Sequence, residues 1–263
     1  MNDPIIVLHD WFETPPGRYL LAWERAQFDA AVADMFGFHA LQLGLPALDA
    51  LATNRMPHRW LATHTPVPQS DFVTDFSALP FPAHSLDLVV LPHSLELAPD
   101  PHTTLREVAR VLVPEGRVVI CGLNPLSLWG FRQQRARLYH RCGLGDLFLP
   151  QAGEFIGYWR LRDWLRLLGF EVEVGHFGCY RPAFSHEKWL QRLPWMEHAG
   201  ARWWPILGSV YFLVAVKRVR GLTLLSPSWK PSRLLPSAPV SVAGNAMSTR
   251  AGARNDQEMK DLD

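Results

Sequence analysis

The sequence predicts an α/β fold, a mostly parallel sheet with helices on both faces. Two observations carry this. Apolar runs of strand length alternate with segments of helical periodicity along the chain. Leu86–Leu91 (LDLVVL) and Arg117–Cys121 (RVVIC) are also largely apolar throughout, as strands covered on both faces must be. The 263 residues, 48% of them hydrophobic, suffice for one such domain with residues to spare.

The elements follow in order. Pro15, Pro16 and Gly17 precede a helical stretch from Arg18 to Met35, in which Phe28, Val32 and Met35 keep helical spacing. Phe38–Leu43 (FHALQL) reads as a strand ending in the Gly44 turn, Ala47–Leu51 as a short helix, and Trp60–Thr63 as a weak second strand. Leu86–Leu91 is bounded by Pro82 and Pro92. Thr103–Leu112 is an amphipathic helix, with Leu105, Val108, Ala109 and Leu112 on one stripe. Pro114-Glu115-Gly116 breaks it before the strand Arg117–Cys121. Leu161, Trp164, Leu165 and Leu168 mark another helix that stops at Gly169. Glu171–Val174 and the longer Val210–Val219 are the last strands. Residues 226–263 lose periodicity and read as a disordered tail. The expected organisation is a helical N-terminal extension over 1–36, the α/β domain over 37–225, and that tail.

A net charge of +1 gives no strong field to attract nucleic acid or anionic membrane. Cys121, Cys142 and Cys179 are odd in number and far apart, which argues against a disulfide framework and fits a reducing compartment. Ile5–Leu8 is too short for a signal peptide, and Trp203–Val216 is interrupted by Pro205 and Gly208 and too short to span a bilayer. A cytoplasmic protein with no membrane span is expected. The 11 histidines show no H-E-x-x-H or similar ligand spacing, so no metal is predicted.

The most informative stretch runs from Thr74 to Gly122. Asp75, Leu79-Pro80-Phe81, Asp87, His93, Glu107, Arg110-Val111-Leu112, Pro114 and Gly116 follow one another in the order of a known pattern. This stretch resembles the central half of class I methyltransferases that use S-adenosylmethionine (SAM), of the type 11 group. Gly122–Gly130 (GLNPLSLWG), with GFHALQLG before it and DWLRLLGFEV after it, is similar to bacterial methyltransferase-like proteins of the YafS type. The resemblance implies a Rossmann-like class I methyltransferase fold with seven strands, and SAM as cofactor.

In such sheets the ligand lies beyond the carboxyl ends of the strands, where strand order reverses. The resemblance therefore implies that Asp75 accepts a hydrogen bond from the adenine amino group and that Phe76 packs on the purine. It places Leu91 and His93 along the methionine side and the transferring methyl. Asp75 is otherwise a plain turn residue, and His93 a satisfied loop histidine.

The first loop departs from the family's acid and glycine pattern, D-x-G-x-G-x-G. It reads Leu41-Gln42-Leu43-Gly44-Leu45-Pro46: Gln42 stands at or near the acidic position and Gly44 is the one glycine left. Glycines there let backbone approach the cofactor without a Cβ. The carboxylate expected for the ribose after the second strand is also missing, and His64 can offer only one hydrogen bond. Each lost charged hydrogen bond forfeits roughly 1.5–3 kcal/mol, so two losses weaken binding by about two to four powers of ten.

Asn124-Pro125 is a substrate-loop candidate or a common turn. Arg132, Arg135, Arg137 and Arg141 could meet phosphates or form a solvated helix face. Trp189, Trp195, Trp203 and Trp204 could cap a pocket, rest on a membrane or simply pack. The main expectation is a SAM-dependent methyltransferase. His93 or Asn124 would handle a proton, and Gln42, Gly44, His64, Asp75, Phe76, Leu91 and His93 would line the cofactor. The methyl acceptor is unknown, a small molecule ranking ahead of RNA, and oligomeric state is left open. The alternative is a degenerate methyltransferase fold that serves as a non-catalytic ligand- or protein-binding module.

Overall fold

The computed structural model describes residues 11–141, 155–182 and 192–218; Cys142, Trp189 and the 226–263 tail lie outside them. Helix α1 (Pro15–Val32) leads into β1 (His39–Leu43), β2 (His58–Thr63), β3 (Phe72–Val73) and β4 (Leu86–Pro92). There follow α2 (Ser94–Leu97), α3 (Pro101–Val111), β5 (Leu112–Leu123), α4 (Leu128–Arg141), α5 (Tyr158–Leu167), β6 (Phe170–Gly178), α6 (Trp195–Trp203) and β7 (Val210–Lys217). The seven strands form one sheet in the order β3-β2-β1-β4-β5-β7-β6. β1 to β5 are parallel, and β7 runs antiparallel to both β5 and β6.

Several elements differ from their sequence expectation for local reasons. α1 starts at Pro15 because the first helical turn needs no N–H donors and tolerates proline, while the Thr14 hydroxyl accepts from the Gly17 N–H at 3.3 Å. No helix forms at Ala47–Leu51: carbonyls of Gly44, Leu45 and Leu48 accept hydrogen bonds from the Gln42 side chain, and the segment closes as turns. β5 begins at Leu112 and keeps Pro114-Glu115-Gly116 within it as an irregularity, with the β4 partner register shifting between Leu86 and Leu88 and Glu115 at φ 64°. β6 runs on to Gly178, and β3 is two residues long, below what periodicity can register.

Alternation along the strands sends neighbouring side chains to opposite faces. On one face Ala40, Leu88, Val90, Val119 and Phe212 pack beneath α1, against Leu20, Phe28 and Val32. On the other, Leu41, Val89, Leu91, Val118 and Ile120 meet Leu105, Val108 and Val111 of α3 and Leu161 and Leu165 of α5. α1 is thus part of the sheet's own cover. Among the described residues no helix is long and apolar enough to cross a membrane.

Phe28 is fully buried and meets Phe212 edge-on at 5.1 Å. Phe28→Ala is expected to lower unfolding free energy by about 3–5 kcal/mol, whereas Phe36→Ala, at a residue 75% exposed, should change it by less than about 0.5 kcal/mol. Denaturant titration of both variants checks this.

Candidate functional site

β1, β2, β3 and β4 run parallel, so their carboxyl ends line one edge of the sheet. Strand order then sets a row of residues just past those ends: Asp75 after β3, His64 after β2, Gly44 after β1 and His93 after β4. The row is contiguous in part. The Phe76 ring lies 3.7 Å from the His64 ring, centroid to centroid, and a Cβ added at Gly44 would sit 3.7 Å from the Phe76 ring edge. The same Cβ would come within 3.2 Å of the Ser94 hydroxyl, which donates to the Leu43 carbonyl. With φ at 73°, Gly44 is required on both counts.

The expected cofactor residues fall into two groups. Asp75 is exposed; its carboxylate accepts the Ser77 N–H at 2.9 Å, and hydrogen bonds from the Ser77 backbone and side chain hold its pKa below the usual carboxylate range. The two Ser77 donors leave part of the acceptor capacity of the carboxylate open. His64 is half-buried. Phe76 and Leu91 are core residues, 2% and 0% exposed. Gln42 is buried and turned into its own loop: its amide N–H groups serve the carbonyls of Gly44, Leu45 and Leu48, and its oxygen accepts the Ala50 N–H at 2.9 Å. Gln42 also lines a cleft of about 360 Å³ on the β1–β2 side with Asp49, Arg59, Trp60 and Asp71, which includes none of the row past β2, β3 and β4.

The two residues expected to handle a proton are both fully engaged. Asn124 donates to the carbonyls of Ile206 and Gly208 at 2.7 and 2.8 Å and accepts the Leu126 N–H, tying the β5 end to the segment before β7. His93 is 2% exposed, with Nε2 2.6 Å from Glu24 Oε1 and Nδ1 2.9 Å from Glu96 Oε2. Burial alone would push its pKa down; the carboxylates of Glu24 and Glu96 outweigh that and hold it up, at about 10. At neutral pH it is an imidazolium held on both sides, a cation rather than a free base.

Glu24 and Glu96 are functional candidates that the sequence reading did not pick out, although a signal exists. Leu20, Glu24, Phe28 and Val32 occupy one stripe of α1, so a carboxylate interrupts an otherwise apolar seam. Glu96 adds a hydrogen bond from the Leu123 N–H, and the Cys121 thiol points at Glu24 Oε1 from 3.3 Å. Arg132 and Arg135 are exposed on α4, as a solvated helix face requires.

The chain matches a family described as a methyltransferase domain over residues 46–120. It is 33% identical over 219 residues to the uncharacterized protein YafS of Escherichia coli, covering 81% of this chain and 82% of that one. A demethylmenaquinone methyltransferase of Anoxybacillus flavithermus is 41% identical over 125 residues, 42% of this chain and 53% of the relative. Among solved structures, a chain from the Haloferax volcanii complex of the Trm112 methyltransferase activator superposes with TM-score 0.54 at 18% identity, over 82% of this chain and 98% of that one. A SAM-dependent methyltransferase from Archaeoglobus fulgidus gives 0.52 at 16%, over 75% and 94%. These two likenesses concern the fold.

Two outcomes are expected of this geometry. His93 has a folded pKa raised above its unfolded value near 6.5, so its stabilising contribution is complete below about pH 6.5 and is lost as pH rises through about 10. Unfolding free energy of the chelator-treated protein measured across that window should fall, and His93→Gln should flatten the slope. Gln42→Glu sets a carboxylate against the carbonyl oxygens of Gly44, Leu45 and Leu48, and is expected to destabilise by about 2–4 kcal/mol in denaturant titration.

Proposed function

This chain belongs to the YafS family of methyltransferase-domain proteins, and we propose from that premise that it is a SAM-dependent methyltransferase whose cofactor lies along the strand-end row. The reading rests on one observation above the others: the exposed Asp75 carboxylate, with acceptor capacity to spare, shares an edge with the glycine-only turn at Gly44. A carboxylate acceptor for the adenine amino group and a glycine position free of Cβ beside it suit the adenosine half of the cofactor.

Asp75 would accept the adenine amino group, and His64 would offer one hydrogen bond to the ribose. Phe76 would back the base, and Leu91 would wall the far side with apolar surface. When bound, the cofactor supplies a methyl group on a sulfonium that an acceptor nucleophile can attack. The chain's own contribution is positioning and water exclusion. His93 keeps its proton between two carboxylates, so a proton released by the acceptor goes to solvent or to a group of the acceptor itself. Asn124 fixes the β5–α4 turn that would border the acceptor. A small-molecule acceptor agrees with the absence of a strong net charge.

A second reading is a binding module without catalysis. The commitment of Gln42, His93 and Asn124 to the chain's own groups favours it.

Calorimetry with SAM separates the two. Micromolar binding is expected, weakened roughly 10- to 100-fold in Asp75→Ala, as the loss of one charged hydrogen bond implies. A folded protein that binds no SAM up to millimolar concentration overturns the enzyme reading in favour of the second.

A further inference from the structure

Beneath α1 lies a polar cluster that methyl transfer does not require. Glu24 Oε1, His93 Nε2 and Cys121 Sγ lie within 4.8 Å of one another, all buried. Three elements supply them: Glu24 from α1, His93 from the end of β4 and Cys121 from β5. Imidazole and thiol converge on the same oxygen, Glu24 Oε1, at 2.6 and 3.3 Å. The other oxygen, Glu24 Oε2, is buried with no hydrogen-bond partner among the described residues. A buried carboxylate oxygen without a partner is costly.

The geometry points to a structural site for a divalent transition-metal ion of the zinc type, held by Glu24, His93 and Cys121, and we propose it as such. The ligand set of one carboxylate, one imidazole and one thiolate is the mixture that borderline-soft divalent ions take. A water molecule would fill the fourth position, since the two oxygens of one carboxylate lie too close together to occupy two tetrahedral corners. Glu96 completes the pattern: it holds His93 Nδ1 at 2.9 Å, the carboxylate–histidine arrangement that aims the other ring nitrogen at a metal.

The exchange balances. Burial and the Glu24 charge keep the Cys121 thiol protonated, and His93 carries protons on both ring nitrogens. A divalent ion entering would displace two protons, one from the Cys121 sulfur and one from His93 Nε2, while the Nδ1 proton stays on His93 and donates to Glu96. Net buried charge is unchanged and no electron moves. Metal–ligand bonds of about 2.0–2.3 Å in a tetrahedron place ligand atoms roughly 3.3–3.8 Å apart. The Glu24–Cys121 separation already fits, and the Glu24–His93 contact must open by about 0.7–1.2 Å from its 2.6 Å. Because the site closes only when α1 docks, loading belongs to folding.

The test is refolding of the full chain from chelator-treated denaturant with one equivalent of Co2+ or Zn2+, followed by desalting and metal analysis. The expected result is one ion per chain, about two protons released per ion, a higher Tm than the metal-free protein, and a thiolate-to-cobalt charge-transfer band. Cys121→Ser should lose that band while keeping its circular dichroism, Glu24→Gln should lower retained metal at least tenfold, and Cys179→Ser should keep both. A wild-type chain that folds but retains no stoichiometric ion overturns the site, as does binding that Cys121→Ser and Glu24→Gln leave intact. None of these readouts involves SAM, so the site and the methyltransferase reading fail separately.

Discussion

The contact on which the rest of the structure depends is the buried chain Glu24–His93–Glu96. Two carboxylates and an imidazole removed from water would each be expensive alone. Arranged in a line, with the imidazole between, each answers the other. The line is also a set of joints. Glu24 brings α1, His93 sits where β4 turns, Glu96 belongs to α2, and the Leu123 N–H on Glu96 adds the end of β5. His93 takes φ 55°, a left-handed turn that lets the chain leave β4 and start α2 directly. A residue with a Cβ accepts that conformation only where its surroundings over-determine it, and two carboxylates on one ring do so.

That chain of contacts also explains which parts of the site the sequence could reveal. Strand-end positions are legible because they follow from topology: once β1, β2, β3 and β4 are parallel, residues 44, 64, 75 and 93 must share an edge. The strands themselves were legible where buried on both faces, as in Leu86–Leu91. β3 was not, since two residues carry no period. Which way a side chain on that edge points is a different matter. His93 looks like a loop histidine until its partner Glu24 is known, and Glu24 lies 69 residues away on another element. The local hint was a carboxylate inside the apolar seam Leu20–Glu24–Phe28–Val32 of α1. A charge in such a place demands a partner, but sequence does not say which one.

The first loop shows a single side chain acting at two levels. An acidic residue at position 42 would present acceptors to a loop whose buried groups are mostly carbonyls. Gln42 presents donors instead, so the carbonyls of Gly44, Leu45 and Leu48 are satisfied from within and the Ala50 N–H finds the amide oxygen. A loop stitched by its own strand needs fewer glycines to be held, and it tolerates Leu45 at φ 43° with a buried side chain. The hydrogen-bonding groups that a ligand could have occupied at this end of β1 are then spent on the turn.

What is left open to a ligand therefore shifts along the edge, away from β1 and toward β2 and β3. There the His64 ring covers Phe76 and the Asp75 carboxylate is the exposed acid. A cofactor held along this row would have to draw more of its binding energy from the base than from the amino-acid end, because Asp75 keeps open acceptor capacity while Gln42, His93 and Asn124 are engaged within the chain. The β4 end contributes shape rather than contacts: its histidine is fixed, its leucine is core, and its charge is already answered from α1. The strand-end edge thus keeps an exposed acid past β3, while the polar side chains at the β1 and β4 ends are bonded within the chain.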